Sequence, residues 1–380
     1  MVQLPDEILE EIFCRLPVKD LFRLRCVSKS WFALISSPYF IKLHLNRSVQ
    51  TKSNLSLFMR DYNHFRVDFD SLNDDVRPVE IDYITSRYPK HEISICGSCN
   101  GLLCMTIVGI MDYVFLWNPS TKKSIILPSA TAAGEYFYEI LRSWAYRFGY
   151  DNTNNDYKVV KLMYFKVREN LDYKIKIYSL KSNSWHSPKK FPYRPKLRSI
   201  GDSITGGAMH WISGMGSDSK SKRSVVAFDL GTEKYRVIPQ PELSGSHFCL
   251  YLDNLEGCLS ATCHYHSSNV DIFLLKEYGG KNEHWSKFIS ISQTISTRVF
   301  HTVKAIAYSK CGKKVLFLMD YERLVWYNLE QKSDEEIRVH GMDGYSEVYT
   351  CMESIVSLDV PAAVRKPNPR RISKKKKKLV

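Results

Sequence analysis

The sequence predicts a mainly β protein carrying a small α-helical module at its N-terminus, and three observations predict it. The first three dozen residues hold apolar side chains at helical spacing, in short segments each stopped by a proline or serine. After Asn46 the texture changes to short β-branched and aromatic runs separated by turn residues. Those runs recur at intervals of about fifty residues, the spacing of propeller blades.

In the opening stretch Ile8, Leu9, Ile12, Phe13 and Leu16 fall on one helical face. Acids occupy the first turns and Arg15 the last, as the helix dipole prefers. Pro17 ends this helix. Leu21 and Leu24 mark a second, and Ser28 is placed to cap a third carrying Trp31, Leu34 and Ile35. Pro38 stops the third, and FIKLHL at 40–45 supplies a last turn. Three helices of about ten residues leave more apolar surface than they can hide from one another. Either the rest of the chain covers that surface or another protein does.

The strand region opens with LSLFM (55–59) and continues through YVFLW (113–117), DYKVVKLMYF (156–165) and YKIKIYSL (173–180). SVVAFDL (224–230), VDIFLL (270–275), KVLFLM (314–319) and RLVWYNL (323–329) follow. Several units share one plan, an aromatic-rich strand, a turn, then an aromatic or proline-terminated strand: VFLWNPSTKKSIILP, IKIYSLKSNSWHSP, VVAFDLGTEKYRVIP. Aligning Asn118, Ser179, Asp229, Leu274 and Asn328 gives spacings of 61, 50, 45 and 54. Glycine-led hairpins such as GSCNGLLCM and NLEGCLSATCHY lie between them. Two hairpins per unit make a blade, so residues 46–364 hold about six blades. A β-sandwich with chance similarity between hairpins is the alternative. ESIVSL at 353–358 is expected to pair with the first strands and close the ring, removing exposed edges.

Composition excludes several classes. No apolar run reaches the roughly 18 residues of a membrane span, and Asp6, Glu7, Glu10 and Glu11 stand where a secretory signal would be basic and then apolar. Ten cysteines in such a chain read as small core residues in a reducing compartment, cytoplasmic or nuclear. Of the net charge of +14, nine positive residues lie from Arg365 onward, leaving +5 for everything before them. The tail 365–380 reads as a disordered basic end or a nuclear-import patch. Nucleic acid is not expected as a partner, because no aromatic residue is interleaved with the lysines.

Other motifs carry less. Cys96, Cys99 and Cys104, and the cluster Cys258, Cys263, His264 and His266, sit on or beside strands whose neighbours point to opposite faces, which defeats tetrahedral zinc. GDSI at 201–204 resembles an esterase nucleophile block but lies mid-chain before GGAMHW, where a glycine turn into a strand is the expectation. No phosphate-cradling glycine loop and no cysteine in a thioester-forming setting is present. No catalytic residue, metal or cofactor is assigned.

The opening LPDEILEEIFCRLPVKDLFRLRCVSKSWFALISSPYFIKLHL resembles an F-box: a leading Leu-Pro, an apolar first helix, Leu-Pro at 16–17, the RCVSKSW block and a final Pro-aromatic segment, in order. The remainder is similar to the F-box-associated, kelch-like domain of plant F-box proteins, through GSCNGLLC, WNPSTKKSIILP, FGYDNTNNDYKVVKL, GGAMHW and VVAFDLGTEKYRVIP. WFALI…FIKLHLNR with KEYG…WSK is also similar to S-locus F-box-like members, which act in pollen of self-incompatible plants. The resemblance implies an F-box over 1–45 that docks on a Skp-type adaptor, itself held by a cullin–RING scaffold, and a propeller-like target-binding domain over 46–364.

Carried over residue by residue, the adaptor-facing set is Leu4, Pro5, Ile8, Leu9, Ile12, Leu16, Pro17, Leu21, Leu24, Val27 and Trp31, with Trp31 and Leu24 the first expected to be internal. Target binding is expected on the irregular segments 129–147, 186–199 and 213–224, where Tyr136, Phe137, Tyr138, Trp144, Tyr146, Phe191 and Tyr193 stand out as aromatic anchors. The expected function is non-catalytic: a substrate receptor of a Skp–cullin–F-box ubiquitin ligase, with the target protein unnamed. A cullin-independent scaffold is one alternative. A sugar-binding or hydrolytic propeller is another, and it requires convergent carboxylates at the channel mouth.

Overall fold

Among the described residues, four helices precede twenty-five strands in the computed structural model. It describes residues 5–72, 75–81, 87, 91–131, 140–167, 170–188, 195–214, 223–243, 248–265, 269–292, 300–342, 344–345 and 347–358. Helices α1 (Asp6–Phe13) and α2 (Val18–Leu24) each start directly after a proline, Pro5 and Pro17. The Ser28 side chain caps α3 (Lys29–Ser36) by accepting from Trp31 N at 3.1 Å. Ser37 caps α4 (Pro38–Thr51) in the same way, accepting from Phe40 N at 3.1 Å, with Pro38 in the first turn.

The expected last turn at 40–45 is thus a 14-residue helix, and the boundary expected at 45 falls inside it. Its buried face includes Phe40, His44 and Ser48, four residues apart. Two of those three are polar, so apolar periodicity alone does not register them.

Six sheets follow, each a four-stranded antiparallel blade, one of them with an added strand. Blade 1 contains β1 (Leu55–Arg60), β2 (His64–Asp68) and β4 (Val79–Glu80), while β3 (Asp75–Val76) leaves it. Blade 2 is β5 (Ile93–Cys99), β6 (Leu102–Ile107), β7 (Val114–Asn118) and β8 (Lys123–Ile126). Blade 3 is β9 (Ile140–Asp151), β10 (Asp156–Val167), β11 (Asn170–Ser179) and β12 (Ser184–His186). Blade 4 is β13 (Pro195–Thr205), β14 (Ala208–Gly214), β15 (Arg223–Asp229) and β16 (Tyr235–Ile238). Blade 5 is β17 (Phe248–Leu255), β18 (Cys258–Tyr265), β19 (Asn269–Lys276) and β20 (His284–Ser292). Blade 6 is β21 (Val303–Tyr308), β22 (Lys314–Met319), β23 (Arg323–Asn328) and β24 (Ser333–Val339). The last strand, β25 (Glu347–Met352), returns to blade 1 as its inner strand, antiparallel to β1. Each inner strand touches the next, from β25 through β5, β9, β13, β17 and β21 back to β25, so the six blades form a closed ring.

The apolar core is divided among the six seams between adjacent blades. In β1, Leu57 and Met59 face blade 6 while Phe58 faces blade 2. In β22, Leu316 and Leu318 face blade 1 while Val315, Phe317 and Met319 face blade 5. Both faces of a middle strand are therefore buried. That is why KVLFLM and VFLW are unbroken apolar runs instead of alternating ones.

The recurrent sequence plan has a hydrogen-bonding cause. Asn118, Ser179, Asp229 and Asn328 all end third strands. Their side chains accept backbone N–H groups of the following turn: Ser120 and Thr121, Ser182, Gly231 and Thr232, Glu330 and Gln331. Four residues on, each turn carries a left-handed residue: Lys122, Asn183, Glu233 or Lys332. Leu274 is the exception, because the blade 5 turn starts later, at the left-handed Glu277. The terminal tryptophans and prolines also pair across seams. Trp185 Nε1 donates to Pro128 O and Trp285 Nε1 to Pro239 O, each at 2.7 Å.

Two closures hold the ring. The strand β3 adds in parallel to the outer edge of blade 6 through Asp75–Arg338 and Val76–Val339. The second closure is β25 on β1, so the closing strand is EVYTCM at 347–352 and not ESIVSL. The partly buried Glu347 ties blades 1 and 2, accepting from Arg60 at 3.0 Å, Ser94 Oγ at 2.6 Å and Ile95 N at 2.8 Å.

ESIVSL serves instead as a clasp. The fully buried Asn118 donates through Nδ2 to Ser354 O at 3.1 Å and Val356 O at 2.8 Å. Ile355 enters the helical core beside Leu9, Phe13, Val18, Leu21, Ile35 and Phe40, and Val356 and Leu358 enter the seam of blades 2 and 3. Gly101 makes room: a Cβ there would lie 2.2 Å from Ser354 Oγ and 2.6 Å from Met352 O, at a φ of +78°. On the far side, Lys52 pairs with Glu256 at 2.8 Å and stands 5.0 Å from the Tyr308 ring. The helices are thereby fixed to one face of the disc.

Asn118→Ala is expected to cost about 2 kcal/mol, because two buried carbonyls lose their donor. Ile355→Ala should cost about 2–5 kcal/mol as a core truncation. Denaturant unfolding of the full chain checks both, and unaltered midpoints would remove the clasp from the account of stability.

A pH effect follows from His44, whose ring Nε2 lies 2.9 Å from Leu16 O and fastens α4 to the turn before α2. Burial holds this imidazole below its ordinary 6.5, and burial with Arg60 nearby pushes His64 down to about 4. Above pH 6.5 both states are neutral and nothing is lost. Below it the unfolded chain takes up protons that the folded chain refuses, so stability falls toward pH 4. His44→Gln, which keeps an N–H donor, is expected to give a shallower decline in unfolding free energy over that window; an unchanged slope would exclude His44 as a contributor.

Candidate functional site

The residue set assigned to an outside subunit divides in the structure. Leu9 and Leu21 are buried in the module's own core, and Leu16, Leu24 and Trp31 are half-buried against it. Trp31 meets Phe13 edge to face at 4.9 Å. Pro5 and Pro17 are exposed, as are Ile8 (48%), Ile12 (44%) and Val27 (61%). Leu4 lies outside the described residues. Ile8 and Ile12 stand one helical turn apart, with Pro5 on the same side. The face first read as one apolar stripe is therefore two: Leu9 and Phe13 turn inward, while Ile8 and Ile12 meet solvent.

Isolated exposed apolar residues need no explanation, but this group sits on a module whose core is already filled, partly by Ile355. Phe32 (51%) and Tyr39 (65%) extend the exposed set. Sequence reading passed over them, since each falls between core positions of α3 and α4. Phe32 carries Arg25 at 4.9 Å from its ring centre, and Arg25 also stands 5.7 Å from Phe22.

Strand direction settles the opposite face. In blades 2 to 6 the first-to-second and third-to-fourth connections lie on one side of the disc, the second-to-third and interblade connections on the other, and the β1–β2 connection of blade 1 lies with the latter. The helices contact the first side, through Ser120–Lys123, Glu256 and Tyr308. The second side receives the longer connections, including the ends of those spanning 132–139, 189–194 and 215–222. Tyr62, Val108, Ile110 and Tyr321, on second-to-third connections of blades 1, 2 and 6, are exposed there.

The aromatic anchors expected for a target fare unevenly. Tyr136, Phe137, Tyr138, Phe191 and Tyr193 lie outside the described residues. Trp144 and Tyr146 are on strand β9, not on a loop, and both pack into the seam of blades 2 and 3. Their alternation with Phe148 is the period-two signature of a strand inside a segment read as irregular. Likewise GDSI lies within β13, and the glycine turn follows it at Gly206–Gly207.

The ring encloses a small cavity of about 140 Å³ lined by inner-strand residues, among them Ser98, Asp253, Lys304 and Tyr349. Asp253 pairs with Lys304 at 3.6 Å, and the Lys304 ammonium stands 5.5 Å from the Tyr349 ring. Among its described lining residues no second carboxylate joins Asp253, so the acid pair needed by a hydrolytic channel is not assembled there. Gly149 keeps the inner strands close, since a Cβ there would come within 2.7 Å of Ile204.

The cysteine clusters are built into the seams. Cys96 and Cys104 are buried between blades 2 and 3, Cys263 between blades 4 and 5, and Cys258 packs toward blade 6. Burial pushes the thiols of Cys99 and Cys351 up to about 12, which suits apolar packing and opposes thiolate chemistry. Among the described residues no three His, Cys, Asp or Glu side chains converge to hold a metal, and no helix is long and apolar enough to cross a membrane.

Comparison with known proteins accords with this architecture. Residues 1–43 match the model of the F-box domain, and residues 55–360 match that of the F-box associated beta propeller domain. F-box protein CPR1 of Arabidopsis thaliana is 32% identical over 366 residues, covering 89% of this chain and 85% of that protein. An F-box/kelch-repeat protein of the same plant is 30% identical, covering 76% of this chain and 79% of its own. Another Arabidopsis F-box protein is 26% identical over 88% of this chain and 85% of its own length. The chain belongs to the family of F-box proteins that carry an F-box-associated β-propeller.

Proposed function

We propose that this chain is the substrate receptor of a Skp–cullin–F-box ubiquitin ligase. The adaptor docks on the exposed stripe formed by Pro5, Ile8, Ile12, Pro17 and Val27, and a target protein binds the opposite face of the propeller. The observation that carries the reading is that stripe. It is apolar, it lies outside a core completed by the chain itself, and the helices that bear it contact the side of the disc opposite the second-to-third connections.

The receptor's contribution is placement and not bond-making. Ubiquitin transfer belongs to the enzyme recruited by the RING subunit. Holding a target on the far side of a rigid disc converts a bimolecular encounter into a tethered one at high effective concentration. For the opposing alternative, a cullin-independent scaffold, adaptor contact persists without the cullin.

Ile8→Arg combined with Ile12→Arg is expected to weaken adaptor binding at least about 100-fold, because each arginine would be buried unpaired at the interface. Since both positions are exposed in the free chain, the melting temperature should stay within about 2 °C of wild type. Leu16→Arg is a poorer probe, for its side chain is partly in the module's core. Retained adaptor binding by the folded double variant would reject the docking face, and adaptor without cullin in the wild-type co-precipitate would favour the scaffold.

A further inference from the structure

On the side of the disc opposite the helices, three neighbouring blades expose large side chains at their hairpin ends. They are Tyr62 on the β1–β2 connection, Val108 and Ile110 on the β6–β7 connection, and Tyr321 on the β22–β23 connection. Tyr62 is 94% exposed, the highest value among the large apolar and aromatic side chains described.

Hydrogen bonds and ion pairs tie these three hairpin ends into one platform. Tyr345, on the segment leading from blade 6 to blade 1, donates its N–H to Tyr321 O at 2.6 Å. Burial, with Glu336 and Asp61 nearby, pushes the Tyr345 hydroxyl up to about 12, which places the blade 1 hairpin end beside it. Arg60 donates to Glu347 Oε1 at 3.0 Å and to Glu92 Oε1 at 2.6 Å, and Glu92 O accepts from Val108 N at 2.9 Å. A platform braced in this way needs little ordering when a partner arrives.

Charge selects the kind of partner. The connections at 60–64, 81–92, 107–114, 319–323 and 339–347 hold eight carboxylate side chains against four lysines and arginines, in a chain whose net charge is +14. Lys161 cancels Asp112, while Arg60 is shared by Glu92 and Glu347. The connections of blades 3 and 4 at 167–170, 188–195 and 214–223 are the reverse, with seven lysines and arginines against two acids.

We propose that the platform over blades 6, 1 and 2 is where the target protein docks, and that it takes a segment carrying a lysine or arginine beside an apolar side chain. The inference rests on the receptor reading above. Tyrosine rings with carboxylates near them suit a cation, and Val108 and Ile110 suit its apolar neighbour. Exposed tyrosines on a rigid support are also effective anchors at an interface. Position argues for the target and not the adaptor, since the platform and the helices lie on opposite sides of the disc.

The test immobilises the full chain and pans it against phage-displayed random peptides. Enriched peptides are expected to carry lysine or arginine next to an apolar residue, and to bind Tyr62→Ser with Tyr321→Ser at least about tenfold more weakly than wild type. Tyr62→Ser alone should give a smaller loss of the same sign, at a position too exposed for the change to disturb folding. Glu322→Lys, which leaves both rings in place, should weaken the same peptides about threefold at about 0.05 M salt, with the gap closing toward about 0.5 M. No enrichment, an acidic consensus, or equal binding by wild type and all three variants would overturn the inference. Peptides enriched only on a chain lacking 365–380 would make the chain's own basic end the occupant and overturn the assignment to a target. Each of these outcomes leaves adaptor binding intact and the receptor reading standing. That reading falls instead if the wild-type chain fails to hold a purified Skp-type adaptor.

Discussion

The buried amide of Asn118 is the point on which the two modules depend. It donates to two carbonyls of the segment leaving the last strand, and its oxygen organises the blade 2 turn. That one side chain orders three things: the ring closure, the path of Ser354–Val356, and the turn facing the helices. Buried polar groups are costly unless matched, and here the matching is complete on both ends of the amide. Because the clasp directly follows β25, which pairs with β1, attachment of the helices and completion of the ring share one short segment of chain.

This coupling accounts for how an F-box keeps an apolar stripe uncovered and stays folded. Four short helices have too little interior of their own. Ile355 supplies the missing volume from the far end of the chain, and His44 binds the α1–α2 turn from within. With the core completed internally, Ile8, Ile12 and Val27 stay exposed outside it, which is what the proposed docking requires. Antiparallel strands send tight, side-chain-capped turns toward the helices and the second-to-third and interblade connections to the other side of the disc; under the proposed reading a target would be held across the thickness of the disc.

Much of this was legible in the residues. The strand runs from LSLFM to RLVWYNL are all strands, and the aligned Asn118, Ser179, Asp229 and Asn328 occupy one structural position because one turn chemistry recurs. What escaped did so for physical reasons. The length of α4 was hidden because His44 and Ser48 are buried polar residues that no apolar periodicity can count. ESIVSL looked like a strand because it is short, apolar and β-branched, yet Ile355 goes to the helical core while Val356 and Leu358 go to a propeller seam, two different modules instead of two faces of one sheet. Trp144 looked like a loop aromatic because Arg142, Ser143 and Arg147 surround it with polarity, while the inner strand it occupies buries it from the blade 2 side.

The set of residues carried over from the resemblance divides in the structure into buried and exposed members, and the reason that sequence does not separate them is general. Helical periodicity gives the direction of a side chain around its axis but not what stands opposite. Ile8 and Leu9 are adjacent, similar in volume and both apolar; what separates them is that Phe40 and Ile355 share a core with Leu9 and Phe13 of α1 and not with Ile8. The distinction between a residue buried in the module's core and one left exposed on it therefore resides in the C-terminal strap as much as in the F-box. A change at Ile355 acts on the helical core from more than three hundred residues away in sequence, and it would shift the helix that carries the exposed Ile8 and Ile12 without touching either residue.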